Sequence, residues 1–444
     1  MYLSCDTMVA LGNATQNGQT IFAKNSDRPA NECQPLVLRE KQRHRAGSIA
    51  HCQFVELPQV DISYRHVGSR PYWCWGYEHG FNEHQVVIGN EALPSKLAPF
   101  AKPKLIGMEI LRLGLERSRS AAEAVEVMAD LITRYGQGKF DNDADVRTYD
   151  NGFIIADPRE AYILETAGHD WVVKRVEKPI GISNVHSIET DWTAISPEAE
   201  RQAQEKGWWL AQPDLGPFNF AEAYSEIDRT QGSGPMRRAR SCAILSHRAG
   251  GIDVQTMIKI LSDHGSATVD PAAYKSVINP GTGICVHGNL DGGGGNTAAS
   301  LVADLCADGS RLPVYWCSFY SPCLSLFFPV LLEGTLPSIL SIGDSSQSEQ
   351  SPWWQFYQLS MLARSNSDVG VSLVRETWTD FQSKLFISAD QVSVEGQRLI
   401  NLGQCDEAST LLSQYMSENV DTMLRVVEGL LETLTQEAIV TSSF

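Results

Sequence analysis

Hydrophobic positions along the chain follow two periods, and the switches between them mark out the elements. From Cys5 to Leu11 apolar and polar residues alternate, an Asn17-Gly18 pair follows, and a second β-rich run leads from Ile21 to Arg28. Asn-Gly between two such runs predicts a hairpin, because a type I′ turn needs positive φ at both central residues. Val86-Val87-Ile88 reads as a buried strand with Asn90 just past its end. From 105 to 135 the period becomes helical, at Ile110, Leu111, Leu113 and Leu115, then at Ala124, Val125, Val127, Met128 and Leu131, with Ser118 or Ser120 as the cap that separates two helices. Strands return at Gly152 to Ala156, Ala161 to Glu165, Trp171 to Val176 and Ile180 to Ser183. A helix over Val254 to Leu261 precedes strands at Ile284 to His287, Thr297 to Ala303 and Val314 to Phe319. From Trp353 onward the pattern is helical, with regular apolar spacing from Leu411 to Leu434. Strand runs flanked by helical pairs predict sheets covered by helices.

The stretches between are less regular. Residues 205 to 236 are rich in Trp, Pro and Gly and read as a loop or lid that ends at Arg237-Arg238-Ala239-Arg240. That run is either a solvated helix start or a source of one guanidinium for a carboxylate, which its planar fork suits. Asp291 to Asn296 lacks the lysine and hydroxyl of a phosphate loop and reads as a turn. Gly343-Asp344-Ser345, in a serine-rich loop from Ser338 to Ser351, echoes an esterase signature without its leucine or its N-terminal position. No internal repeat is present.

Composition narrows the class. A chain of 444 residues with 43% hydrophobic and 20% charged residues has ample core, and its length is compatible with about three average domains or one large one. A net charge of -17 argues against general nucleic-acid binding, which leaves a basic footprint. Ten cysteines are too dilute for a disulfide scaffold, and no charged-then-apolar region precedes Cys5, so reduced thiols and a cytoplasmic location are expected. The same absence argues against a lipoprotein site at Leu3-Ser4-Cys5. The longest apolar run, around Cys323 to Leu332, is about half of the roughly 20 residues that span a bilayer, so no membrane span is expected.

Candidate chemistry gathers at the first hairpin. Pairing across it brings Lys24, Asn25 and Asp27 towards Cys5, and a thiolate nucleophile needs a base and a group that orients the base. Most cysteines in such a strand are small buried apolar residues. No histidine lies in the segment, but removal of the four preceding residues would make Cys5 N-terminal and its own α-amine the base. An α-amine titrates at about 7.7 to 8.0 and a cysteine at about 8.5, a close match near neutral pH. Cys74, His79, Glu83 and His84 lack the usual zinc spacings, so neither a metal nor a cofactor is expected.

Cys5-Asp6-Thr7, the run Phe22 to Arg28 and Val86 to Ala92 resemble the secernin family, which groups with cysteine dipeptidases related to penicillin V acylase and bile salt hydrolase among the N-terminal-nucleophile hydrolases. The resemblance takes in Ala161 to Gly168, Ile182-Ser183-Asn184 and Thr297 to Val302, and fades beyond Pro352-Trp353-Trp354. It implies a four-layer αββα sandwich of mixed α/β class with a helical C-terminal extension. The implied divisions are a short propeptide at 1–4, the hydrolase domain at 5–352, and an extension at 353–444 packed on that domain.

The resemblance also implies roles. Cys5 is the nucleophile, Asp27 orients its amine, Asn90 stabilises the oxyanion, and Asn184 fixes the amine or the oxyanion. Lys24, Arg28 and Arg237 are the cations expected at the substrate, Arg237 being preferred over Arg240 because acylase relatives carry an arginine near that point. Acylases have an arginine where this chain has Lys24, which weakens acylase-type contacts and favours a dipeptide over another small amide. A non-catalytic protein of regulated secretion, which would act through a protein partner, is the alternative from another class. The C-terminal helices are a candidate surface for pairing with a second copy.

Overall fold

The computed structural model describes residues 4–138, 140–141, 146–210, 216–265 and 283–441. The first hairpin forms: β1 (Cys5–Ala10) pairs antiparallel with β2 (Ile21–Pro29), and Cys5 lies opposite Ser26. Its connection is not a two-residue turn. Ala10 and Ile21 are the last pair, a 3-10 turn at Gly12–Ala14 follows, and Gly18 takes a φ of +74° while Asn17 does not adopt positive φ. Asn17 accepts instead from the Gln19 amide at 3.1 Å, the local bond that makes Asn a turn residue.

Strands β3 (Leu36–Arg39), β4 (His66–Ser69), β5 (His79–Asn82) and β6 (Val87–Leu93) lead to helices α1 (Gly107–Arg117) and α2 (Ala121–Tyr135). The serines resolve into two roles, Ser118 closing α1 and Ser120 capping α2 by accepting from the Glu123 amide. Strands β7 (Asp150–Ala156), β8 (Ala161–Ala167), β9 (Asp170–Arg175), β10 (Ile180–Ile182) and β11 (Ala194–Ile195) follow. Then come α3 (Ala199–Glu205), α4 (Phe220–Tyr224), α5 (Ser233–Arg248) and α6 (Val254–Leu261), and β12 (Gly295–Asp304), β13 (Val314–Phe319) and β14 (Phe328–Val330).

These strands make two large sheets. One has six strands in the order β10-β1-β2-β12-β13-β14; the other has eight, in the order β11-β9-β8-β7-β6-β5-β4-β3. Strand β1 lies against β6 and β7 across the interface, α1 and α2 cover the outer face of the eight-stranded sheet, and α5 and α6 cover that of the six-stranded one. This is a four-layer αββα sandwich.

Burial on both faces explains why the central strands read as continuous apolar runs. Phe153 and Ile155 pack beneath the helices with Ile110, Leu111 and Met128, while Ile154 points the other way, into the cluster of Met8, Phe22 and Val87 between the sheets.

Three local readings change. Asn90 lies within β6, opposite Phe153, rather than past its end. Residues 205–236 carry α4 and the start of α5, with 211–215 outside the described residues. Ile284 to His287 is not a strand, because β12 is already paired along one edge by β2 and along the other by β13. Val286 nevertheless receives the Thr297 amide at 2.9 Å and donates to the Thr297 hydroxyl at 3.0 Å, beside the bulge in β12 between Thr297 and Ala299.

Helices α7 (Pro352–Ser365), α8 (Ser367–Asn401) and α9 (Cys405–Thr441) pack on one another and on β13 and β14. Trp353 and Trp354 are buried, and Trp353 Nε1 donates to the Ala298 carbonyl at 2.8 Å. Among the described residues, no helix is long and apolar enough to cross a membrane, and none of the ten cysteines forms a disulfide.

Candidate active site

The register of the hairpin places Asp27 one residue beyond the partner of Cys5, with its amide donating to Cys5 Sγ at 3.2 Å. Its carboxylate is held by two hydroxyls: Ser4 Oγ donates to Oδ2 at 2.9 Å and Thr297 Oγ1 to Oδ1 at 2.6 Å. Thr297 sits opposite Asp27 at the bulge of β12.

The backbone of Cys5 is gripped at both ends. Its amide donates to Asn184 Oδ1 at 2.8 Å, and its carbonyl accepts from Ser183 Oγ and from Arg237 Nη1, each at 3.1 Å. Asn184 lies just past β10 and is itself fixed, accepting from Arg237 Nη2 at 2.6 Å and donating to the Ala92 carbonyl at 2.9 Å. Arg237, on the first turns of α5, completes the arrangement with a buried ion pair to Asp6.

Cys5, Asp27, Arg28, Asn90 and Asn184 line one pocket of about 170 Å³ with Glu32, Trp73, Glu78, Tyr149 and Asn151. Turned so that its nitrogen faces Glu78, the Asn90 amide donates to Oε2 at 2.8 Å and to the main-chain oxygen at 2.9 Å. Glu78 Oε1 is buried without a hydrogen bond and faces Arg28 Nη1 at 3.5 Å. Arg28 is also bound by Glu32 and donates to Tyr149 Oη at 3.4 Å.

The three cations expected at the substrate are therefore placed differently. Arg28 reaches the pocket. Arg237 lies beneath Cys5 and Asn184. Lys24 is fully buried between the sheets, 3.4 Å from Glu91 Oε1 and 3.0 Å from the Asn25 carbonyl. Arg240 turns away to pair with Asp263.

Burial governs the charges here. It pushes the Cys5 thiol well above its ordinary value, and the nearby Lys24 charge opposes it. Burial would lower Lys24 too, but Cys5, Glu91, Glu78 and Asp27 outweigh it and keep the lysine cationic. Asp27 is pushed up to about 7 by burial, with Arg237 pulling the other way. The site thus holds an acid poised near neutrality beside a thiol that needs a base.

Glu78, Glu32 and Thr297 were not identifiable as site residues from the sequence. Glu78 follows the aromatic residues from Tyr72 to Tyr77, and nothing local in the sequence distinguishes it from a surface acid.

The profile of peptidase family C69 matches residues 4–233, from the residue before Cys5 to the start of α5. The chain belongs to peptidase family C69. The chain is similar to a dipeptidase of Bifidobacterium longum, with 28% identity over 200 residues, 39% of this chain and 35% of that protein. A probable dipeptidase of Salmonella dublin is 24% identical over 251 residues, 51% of this chain and 54% of the relative. The matches thus span about a third to a half of the length of these relatives. Among solved structures, the penicillin V acylase of Agrobacterium tumefaciens superposes with a TM-score of 0.40 at 13% identity, covering 74% of this chain and 86% of the acylase.

Proposed function

We propose that this C69 member hydrolyses the peptide bond of dipeptides, with Cys5 as its N-terminal nucleophile. The supporting observation is the convergence on one pocket of the Cys5 thiol, its backbone nitrogen, Asp27 and Asn184, together with the dipeptidase relatives.

In the intact chain Cys5 Sγ attacks the Ser4 carbonyl, the Ser4–Cys5 bond passes to sulfur as a thioester, and water releases the leader as a carboxylic acid. Asp27, whose carboxylate accepts from Ser4 Oγ, takes the thiol proton and passes it to the departing Cys5 nitrogen. The new α-amine then stays where the Cys5 nitrogen already lies, on Asn184 Oδ1.

In turnover the amine takes the thiol proton and the thiolate attacks the substrate carbonyl. Asn90 turns one N–H from the Glu78 main-chain oxygen to the oxyanion, a contribution of about 3 kcal/mol for one well-placed donor. The C–N bond breaks as the ammonium protonates the leaving nitrogen, and water, activated by the same amine, resolves the thioester. Arg237 and Lys24 are positioning residues in this reading, the first for Asn184 and the second for the thiolate charge.

The charges of the pocket support a dipeptide over an uncharged amide. Glu78 Oε1, buried and lacking a hydrogen bond, suits the substrate α-ammonium, which lies one carbon from the attacked carbonyl. Arg28 suits the far carboxylate. The test is hydrolysis of free dipeptides against their N-acetylated forms by the wild type and by Cys5→Ser. Free dipeptides are expected to be cleaved at least tenfold faster, with activity lost in Cys5→Ser. Equal rates on acetylated substrates would remove the ammonium contact, and an unaffected Cys5→Ser would remove the mechanism.

A further inference from the structure

Away from the pocket, four side chains from three separate parts of the chain point at one spot. They are His264, three residues after α6; Cys285 and His287, in the irregular segment before β12; and Cys323, in a 3-10 turn at Pro322–Leu324. One ligand-capable atom from each lies within 4.8 Å of all the others. His287 Nε2 is 2.9 Å from His264 Nε2, 3.4 Å from Cys285 Sγ and 3.3 Å from Cys323 Sγ.

A hydrogen bond to one neighbour does not account for the crowding at His287 Nε2. One ring nitrogen offers either a proton or a lone pair, in a single direction in the ring plane, so it serves one of these three neighbours well and not all of them. A cation at the centre satisfies the four together. Tetrahedral zinc, with Zn–S about 2.3 Å and Zn–N about 2.0–2.1 Å, has S–N edges of roughly 3.6 Å and an N–N edge of roughly 3.3 Å. The three distances from His287 fall a few tenths of an ångström inside those edges, and the widest pair of the group, up to 4.8 Å apart, closes by about 1 Å around the ion.

We propose that His264, Cys285, His287 and Cys323 bind one zinc ion. Two thiolates and two imidazoles are the donor set that tetrahedral zinc takes, and four protein ligands leave no open position, so the site is structural. Its outer contacts fit the role. His287 Nδ1 lies 3.3 Å from Ser321 Oγ, which orients the ring and directs the Nε2 lone pair inward, and Ser321 is held in turn by Asn296 Nδ2 at 3.1 Å and by Ser360 of α7 at 3.3 Å. The spacing His264-x20-Cys285-x-His287-x35-Cys323 matches no common zinc motif, which hides the set from a reading of the sequence.

The ion would staple the end of α6, the 285–287 segment and the 3-10 turn under α7 to the back of the six-stranded sheet. Val286, between two of the ligands, exchanges hydrogen bonds with Thr297, whose hydroxyl holds Asp27. The site therefore supports the wall of the catalytic pocket without touching it.

The test is elemental analysis of untagged full-length protein after exposure to zinc and gel filtration. About one zinc per chain is expected, with loss in Cys285→Ser and Cys323→Ser and retention in Cys405→Ser, whose cysteine is exposed on α9. Should the ligand variants fail to fold, wild-type protein loaded with cobalt(II) reports on the same ligands. Thiolate-to-cobalt charge transfer and strong visible bands of a tetrahedral site support the proposal. Protein that retains no zinc, a cobalt spectrum without thiolate bands, or a Cys285–Cys323 disulfide in peptide mapping of zinc-exposed protein would overturn it.

Discussion

Asp27 shows how a single residue couples folding to chemistry. Burial raises it to about 7 while Ser4 is still attached, so it becomes a useful base only as the pH passes that value. Release of the leader in purified precursor should therefore accelerate between about pH 6 and 8 and then level off, whereas Asp27→Asn should be slow and lack that limb; a mass time course at several pH values reads both. The same shift works against stability. The folded chain binds the Asp27 proton more tightly than the unfolded chain does, so the contribution present below the ordinary carboxyl range is lost as pH rises through about 7. Two pocket residues separate binding from chemistry. Asn90→Ala should lower kcat by roughly 10²–10³ if it serves the oxyanion. Glu78→Gln should raise KM for free dipeptides and leave N-acetylated ones unchanged, which steady-state kinetics resolves. Cys5, Asp27 and Asn184 each sit in a short run that carries the family resemblance, which is what singles them out in the sequence. Thr297 opens another such run, but its hold on Asp27 comes from the bulge in β12, and Glu78 lies outside every run of the resemblance.

At the scale of elements, the close approach of the sheets depends on what β6 presents to β1 and β2. A Cβ at Gly89 would lie 3.0 Å from Lys24 Cδ and Phe22 Cζ and 3.1 Å from Thr7 Oγ1, all buried. Gly89→Val is expected to force those side chains off their rotamers and to lower stability by about 1–3 kcal/mol in denaturant unfolding. It should also disturb Lys24, and with it the thiolate. Long regular elements were legible: the helix at Val254–Leu261 and the strand at Val314–Phe319 lie where apolar spacing puts them. Irregular ones were not. Ile284 to His287 has strand-like residues, but the adjacent β12 offers no open edge to join, and the first hairpin closes through a longer loop than its Asn-Gly pair suggests, because an Asx turn at Asn17 competes with a type I′ turn.

At the scale of the molecule, the C-terminal helices and the sandwich share buried surface. Gln382 of α8 pins the backbone of Phe327 from both sides, at 2.8 and 2.9 Å, and Trp378 donates to the Leu324 carbonyl at 3.2 Å. A chain ending before Pro352 would uncover β13 and β14 and orphan these groups. It is expected to aggregate or to melt well below the full-length protein in calorimetry; a stable, active truncation would instead make 353–444 a separable unit.

The central claim, that Cys5 works as an N-terminal residue, is tested most directly by the intact mass of the active protein. A mass lacking Met1 to Ser4, in protein that cleaves dipeptides, is the predicted result. Full dipeptidase activity in protein whose mass retains those residues would contradict it, because the α-amine on which the mechanism depends would not exist.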